Sequence, residues 1–238
     1  MDVDVEELGT ILGLWAHPDD EAYLAAGLMA AAVDAGQHVA AVTATLGEAG
    51  ETADPVRWPT RELRTIRRTE LDRAMEVLRV TDFECLDLPD GGLADLDPRA
   101  PVAQIAKVVD RVRPDTVITF GPDGMTGHPD HRTVSAWATA SLELVGHRAT
   151  VLWATKTEGW VHAFADLVRE AFPPTLPPRT PVAQAWELVL DDDAVARKLR
   201  ALEQHASQTT GLINALGRDR YAESVRLEAF REANPHDA

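Results

Sequence analysis

Ile11-Leu12-Gly13-Leu14-Trp15-Ala16-His17-Pro18-Asp19-Asp20-Glu21 runs from an apolar, strand-like stretch straight into imidazole and carboxylate. The same order recurs later, where Thr116-Val117-Ile118-Thr119-Phe120 leads through the glycine-rich residues 121–127 to His128-Pro129-Asp130-His131. If the two strands lie in one parallel sheet, both polar runs emerge at its carboxyl edge, where open α/β sheets bind their ligands. Such a meeting supplies the imidazoles and carboxylates for a divalent metal and an acid/base pair.

Outward from these runs, strand and helix signals alternate through residue 155, which predicts an α/β fold with a mostly parallel sheet. A helix is expected from Asp20 through Ala35, closed by Gly36 as its C′ glycine. Further strands are expected over 38–46, 83–88, 115–120 and 150–155. Residues 47–59 lack periodicity and read as a loop. Leu63, Ile66, Leu71, Met75 and Leu78 follow helical spacing after Thr60, and helices are also expected over 102–113, stopped by Pro114, and over 130–145. Five prolines between Pro173 and Pro181 mark an ordered crossing or a loop. Val182–Leu190 reads as a late strand, and Asp191-Asp192-Asp193 as the cap of a helix through Gln204.

At 238 residues the chain fits one domain over its full length, 1–238. A chain of this size buries roughly 70–75% of its unfolded surface and needs no disulfide staple. The single cysteine, Cys85, lies in an apolar stretch and is expected to be a small buried thiol, not a nucleophile. The first seven residues hold four acids and no basic, apolar leader pattern, so a cytoplasmic location without membrane insertion is expected. A net charge of -16 opposes phosphate backbones and argues against nucleic acid as a partner, although colloidal solubility alone accounts for such acidity. The absence of Gly-x-Gly-x-x-Gly after the first strand, and of a P-loop anywhere, argues against dinucleotide and nucleoside triphosphate chemistry.

A catalytic zinc takes about three protein ligands and keeps a position open. His17, Asp20 and His131 form a two-nitrogen, one-carboxylate set suited to it. Asp19 and Asp20 are adjacent and cannot point the same way, so one can bind metal while the other faces the open position. A divalent metal acidifies a bound water from about 15.7 to about 7, and a neighbouring carboxylate can take its proton. Of His128 and His131, one imidazole can reach the metal and the other can serve as general acid or oxyanion partner. Asp130 is placed to hold that second imidazole by hydrogen bonding. Either polar run alone could be an acidic helix start. Two such runs, each after a strand, point to a site.

The sequence resembles the N-acetylglucosaminyl-phosphatidylinositol de-N-acetylase (LmbE-like) family. His17-Pro18-Asp19-Asp20-Glu21 and Gly124-Met125-Thr126-Gly127-His128-Pro129-Asp130-His131 match its two hallmark blocks. Thr45–Gly50, Arg67–Leu71 and Leu88–Leu93 are similar to its intermediate blocks, and Lys198, Ala201-Leu202, His205 and Ser207-Gln208 to its late element. The resemblance implies a Rossmann-like, mostly parallel sheet with helices on both faces. It also implies zinc-dependent removal of acetyl from an N-acetylglucosamine conjugate, with iron(II) as the alternative metal. His17, Asp20 and His131 would then be ligands, Asp19 the general base and His128 the acid or oxyanion partner. Glu48, Arg67 and Asp90 become candidates for the sugar or its attached group. Residue by residue, Arg67 reads equally as an exposed helix residue paired with Glu62 or Glu70. Arg79 stands where the family has glycine. Some relatives use a tyrosine near the metal, whereas Tyr23 and Tyr221 fall in no equivalent block.

The expected partner is a small-molecule sugar conjugate, and self-association is compatible with the composition. Three other functions fit parts of the pattern. One is the same chemistry on another amide, such as a thiol-conjugate amidase, which a substrate panel separates. A sugar- or nucleotide-binding module without catalysis is opposed by the intact Asp19. An acidic structural subunit would bind no stoichiometric zinc.

Overall fold

The two runs that flank the histidine motifs become neighbouring strands. In the computed structural model, which describes residues 3–165, 167 and 185–233, β1 (Ile11–Trp15) pairs in parallel with β4 (Thr116–Phe120). Every residue of both strands is buried, as expected of parallel strands covered on two faces. On its other side β1 pairs with β2 (Val39–Thr45), which pairs with β3 (Asp82–Leu88), while β5 (Thr150–Thr155) adds beside β4, all in parallel. β6 (Trp186–Val189) and β7 (Leu227–Glu232) complete one seven-stranded sheet in the order β3-β2-β1-β4-β5-β7-β6, with β7 antiparallel to β5 and β6 antiparallel to β7. The order reverses between β1 and β4, so both polar runs leave the sheet at its switch point.

Short helices α1 (Asp20–Leu24) and α2 (Ala26–Asp34) follow β1, and α3 (Leu63–Leu78) follows a loop and a 3-10 turn at Thr60–Glu62. Helices α4 (Arg99–Val112) and α5 (Pro129–Val145) pack on each other. Beyond β5 come α6 (Glu158–Ala163), α7 (Asp192–Gln204), α8 (Ala206–Leu216) and α9 (Arg218–Val225), with α7 packed on α2 and α3. The main core runs along the sheet through Leu12, Leu14, Met29, Leu71, Val109, Ile118 and Phe120. A second apolar cluster gathers Leu190, Val195, Leu199, Leu202, Tyr221 and Val225 around Ala22. No helix among the described residues is long and apolar enough to cross a membrane.

Most expected elements appear within a few residues of their predicted bounds. Gly36 closes α2 at φ 81°, and Asp191 caps α7 by accepting from the Ala194 N–H at 2.8 Å. The expected single helix over 20–35 instead breaks at Ala25, at φ -144°. Its freed groups find long-range partners. Glu228 of β7 accepts from the Gly27 and Leu28 N–H groups at 2.7 and 2.8 Å, and Lys198 of α7 donates to the Tyr23 carbonyl at 2.9 Å. Lys198 and Glu228 meet at 2.7 Å with their side chains fully buried. Gly27 makes the approach fit, since a Cβ there would lie 2.3 Å from Leu190 Cδ2. Cys85 is half-buried, not buried as expected, and its thiol donates to the Thr45 carbonyl. The five prolines between 173 and 181 lie outside the described residues.

Candidate active site

His17 and His131 arrive from separate strand ends with their ring nitrogens already sorted. His131 Nδ1 donates to the Gly124 carbonyl at 3.1 Å, and its ring stacks on Phe120 at 4.0 Å. That leaves Nε2 free, 3.2 Å from His17 Nδ1. His17 turns its other nitrogen, Nε2, toward Asp90 Oδ1 at 3.0 Å and Asp130 Oδ2 at 3.5 Å. Asp20 completes the triangle, with Oδ2 3.6 Å from His17 Nδ1 and Oδ1 3.4 Å from His131 Nε2. The same carboxylate accepts from the Ala16 and His17 N–H groups at 3.2 and 2.8 Å, which fixes its direction.

Two lone pairs and a carboxylate do not converge in this way without a positive centre between them, either a proton or a metal ion. Burial opposes charge on His17, but its hydrogen bonds to Asp130 and Asp90 and the field of Asp20 push its pKa up to about 10. Burial and the His17 charge lower His131 far below an ordinary histidine. The geometry fits a metal equally well. Ligands about 2.0–2.1 Å from a tetrahedral zinc stand about 3.3–3.4 Å apart, close to the 3.2 Å between His17 Nδ1 and His131 Nε2, while Asp20 offers each ring a different oxygen, Oδ1 to His131 at 3.4 Å and Oδ2 to His17 at 3.6 Å. Asp90 and Asp130 stand behind the His17 ring, and carboxylates so placed are the usual way a metal-binding imidazole is oriented. His128 also brings a ring nitrogen within 4.8 Å of His17 and His131.

Asp19 departs from its neighbour. Its backbone is left-handed, at φ 107° and ψ -24°, a conformation costing about 1–3 kcal/mol outside glycine. Its carboxylate faces the cavity and stands 3.3 Å from Arg67 Nη2. Burial lifts the Asp19 pKa to about 6, against the pull of the Arg67 guanidinium. Arg67 is only 4% exposed, so it is not the solvent-paired residue that one sequence reading offered. It donates to the Gly47 and Pro18 carbonyls at 2.8 and 2.5 Å, while Glu70 binds Ser207 instead. Gly47, at φ 65°, is required there because a Cβ would lie 2.1 Å from Arg67 Nη1.

The Asp130 carboxylate does not hold His128. It accepts from the Gly91 N–H at 2.8 Å and the Leu93 N–H at 3.2 Å and reaches toward His17. What reaches His128 is the Asp130 backbone N–H, at 3.1 Å from Nδ1, because His128 is the N-cap of α5. A ring accepting at Nδ1 carries its proton on Nε2. Burial and the His17 charge further lower the His128 pKa, so the neutral ring is the favoured form.

Of the sugar-binding candidates, Arg67 and Asp90 line the cavity and Glu48 does not. Glu48 accepts from the Asp90 N–H at 3.2 Å and from Arg64, behind the loop. Asp90 also accepts from the Ala49 N–H, and the His17 ring outweighs its burial to hold its pKa at about 2. The cavity, about 890 Å³, is also lined by Tyr23, Trp160, Leu212, Tyr221 and Val225, which were not predicted as site residues. Tyr221 donates to the Tyr23 hydroxyl at 2.8 Å. Tyr23 lies four residues after Asp19, a spacing that shares a helix face. Nothing local marks Tyr221.

The family model described as GlcNAc-PI de-N-acetylase (PIG-L) matches residues 12–142. Two relatives are each described as a 1D-myo-inositol 2-acetamido-2-deoxy-alpha-D-glucopyranoside deacetylase. One, from Saccharomonospora viridis, is 32% identical over 231 residues, covering 84% of this chain and 85% of the relative. The other, from Kineococcus radiotolerans, is 37% identical over 161 residues, covering 56% of this chain but only 45% of that longer protein. Among solved structures, the N,N'-diacetylchitobiose deacetylase of Pyrococcus horikoshii superposes with a TM-score of 0.63 at 22% identity, over 97% of this chain and 87% of that one. The 4-carboxy-2-hydroxymuconate hydratase GalB of Pseudomonas putida superposes with 0.61 at 17% identity, over 96% and 97%. One fold thus carries hydrolysis in one case and hydration in another, and the reaction has to be argued from the side chains.

Proposed function

The chain belongs to the family of GlcNAc-PI de-N-acetylases, and from that premise we propose that it hydrolyses the acetamide of an N-acetylglucosamine conjugate at a divalent metal. His17, Asp20 and His131 would hold the metal, with zinc the first choice for two imidazoles and a carboxylate and iron(II) the second. The observation that carries the reading is the pairing of that ligand triangle with a second carboxylate, Asp19, turned away from it into the same cavity. When bound, the metal polarises the acetamide carbonyl and acidifies a water.

The chain's own groups supply the rest. Asp19 takes the proton of the attacking water, and a carboxyl lifted toward 6 is basic enough for this yet ionised at neutral pH. It then returns the proton to the departing amine, so acetate and the free amino sugar leave. His128, neutral and protonated on Nε2, donates a hydrogen bond to the oxygen of the tetrahedral carbon. Its geometry favours this oxyanion role over that of a general acid. Asp90 and Asp130 act through His17, keeping its Nδ1 turned toward the ligand triangle. Arg67 steadies the Asp19 carboxylate and the Pro18 carbonyl.

The experiment is mass-spectrometric detection of acetyl loss with zinc-loaded and iron-loaded protein. The panel starts with the relatives' inositol glycoside and extends to other N-acetylglucosaminyl conjugates and to plain amides. Loss of acetyl from at least one sugar conjugate supports the reading. Hydrolysis confined to a non-sugar amide would replace the substrate and keep the chemistry. Inertness toward every member with one equivalent of metal bound would reject both.

A further inference from the structure

Asp19 and Asp20 are consecutive, yet their carboxylates part company. Asp20 turns back to the Ala16 and His17 N–H groups and the two imidazoles, whereas Asp19 faces the cavity and Arg67. The divergence comes from the backbone of Asp19, whose φ of 107° lies where only glycine rests without strain. A strained residue stays in place only when its surroundings over-determine it. Glu21 Oε2 accepts from the Asp19 N–H at 3.1 Å, inside the turn itself. The other oxygen of Glu21 meets His205 Nε2 at 2.9 Å, across a sequence separation of 184 residues, and both side chains are fully buried.

His205 stands at the start of α8, and the same turn is fastened a second time. Ser207 donates to Glu70 from its N–H at 2.8 Å and its hydroxyl at 2.7 Å. Glu70 belongs to α3, the helix that carries Arg67, and Arg67 donates to the Pro18 carbonyl and to Asp19. The contacts close a ring from Asp19 through Glu21, His205, α8, Glu70, α3 and Arg67 back to Asp19. His205 Nδ1 is buried with no hydrogen-bond partner among the described residues, so the contact the imidazole makes is the one from Nε2 to Glu21.

We propose that Glu21 and His205 are positioning residues for Asp19. The buried pair fixes the left-handed turn that sends the Asp19 carboxylate into the cavity while Asp20 stays on the imidazoles. The inference rests on Asp19 being the base of the proposed reaction, and the test separates the two ideas.

Zinc-loaded full-length protein is compared as wild type, Asp19→Ala, His205→Gln and His205→Asn, with the inositol glycoside named above as the probe. Gln can reach Glu21 with an N–H, and Asn is too short to do so. His205→Gln is expected to stay within about threefold of wild type. His205→Asn is expected to lose about 10–100-fold in kcat at unchanged KM, the scale of a roughly 1 Å misplacement, while binding one equivalent of zinc. In its crystal structure Asp19 should leave positive φ, a reading that needs no substrate. The inference is overturned if His205→Asn keeps its kcat, loses zinc along with it, or retains φ near 107°. It is equally overturned if Gln performs no better than Asn. Full turnover in Asp19→Ala would sink the base assignment instead. An inactive Asp19→Ala beside a fully active His205→Asn would remove only the positioning role.

Discussion

Residues 11–131 and residues 185–233 contribute to the site in opposite ways. The first stretch delivers every proposed ligand and reacting group, from His17, Asp19 and Asp20 to His128 and His131. The second delivers clamps. Lys198 and Glu228 hold the break between α1 and α2, His205 holds Glu21, and Ser207 holds Glu70. Reactive groups come in short runs because one strand end can present several of them. Their support comes from far along the chain, because a buried carboxylate such as Glu21 needs a partner that its own helix cannot supply. The comparison teaches that the candidate reactive groups come as short runs at strand ends, while part of what holds those runs in place comes from the last third of the chain.

The strongest test of the first region divides its two adjacent carboxylates. Asp19→Ala should keep one equivalent of metal while turnover falls by about 10²–10⁴-fold, the range for a lost general base. Asp20→Ala should lose metal and turnover together. Metal titration and steady-state rates on both variants decide the matter, and equal metal loss in the two would mean that the roles are divided wrongly.

The matching test of the second region concerns stability. Lys198→Met leaves the Glu228 carboxylate buried without its cation, so unfolding should become easier by about 3–5 kcal/mol. For a chain of this length that is a drop on the order of 10 °C in Tm. Because the pair also holds the Tyr23 carbonyl and the first turn of α2, metal affinity should weaken in parallel. A Tm within 2 °C or so of wild type, by calorimetry, would show that the clamp contributes nothing.

The two regions differ in legibility for the same reason. Ile11–Trp15 and Thr116–Phe120 announce themselves by composition, and the residues after them by ligand chemistry, so the switch-point meeting followed from sequence alone. Asp191 was readable as a cap because capping is a contact over three residues. The break at Ala25 was not, since an alanine- and leucine-rich run gives no local reason to stop and the reason sits in β7. Asp130 was misread for a related cause. Its nearness to His128 in sequence is real, but at a helix start the N–H turns back to the N-cap while the side chain is free to reach the loop at Gly91 and Leu93. The exposed reading of Arg67 failed, because burial against Pro18 and Gly47 depends on how two loops fold over α3.

A finer test of the first region uses the carboxylates behind His17. Asp90→Asn and Asp130→Asn each remove charge from its Nε2 partners, and metal affinity should fall by about 10–100-fold in each. Asp130→Asn also loosens the loop at 91–93, so it should show the larger effect. Arg67→Met bears on the acid limb of the rate profile. The guanidinium lowers the Asp19 pKa, so removing it raises that pKa and moves the acid limb of kcat/KM to higher pH. A limb that stays put or moves down would detach Arg67 from the base.

The smallest expected effect lies in the second region and concerns pH. His205 is buried, which disfavours its charge, but the fields of Glu21 and Asp19 and the hydrogen bond to Glu21 outweigh burial and the opposing Arg67, so its pKa is raised above 6.5. A group whose folded pKa lies above its unfolded value stabilises fully below the unfolded value, and the contribution fades as pH rises through the folded one. His205→Gln keeps the contact to Glu21 but cannot titrate. Wild type should therefore exceed His205→Gln in Tm by its widest margin near pH 6, and the margin should narrow steadily toward pH 9. The effect is modest because Gln retains the hydrogen bond and only the charge term is removed. Thermal melts of both proteins across that range read it directly. A constant margin would mean that His205 holds Glu21 as a neutral ring, and a margin that widened with pH would reverse the sign of the coupling and leave the clamp without its electrostatic part.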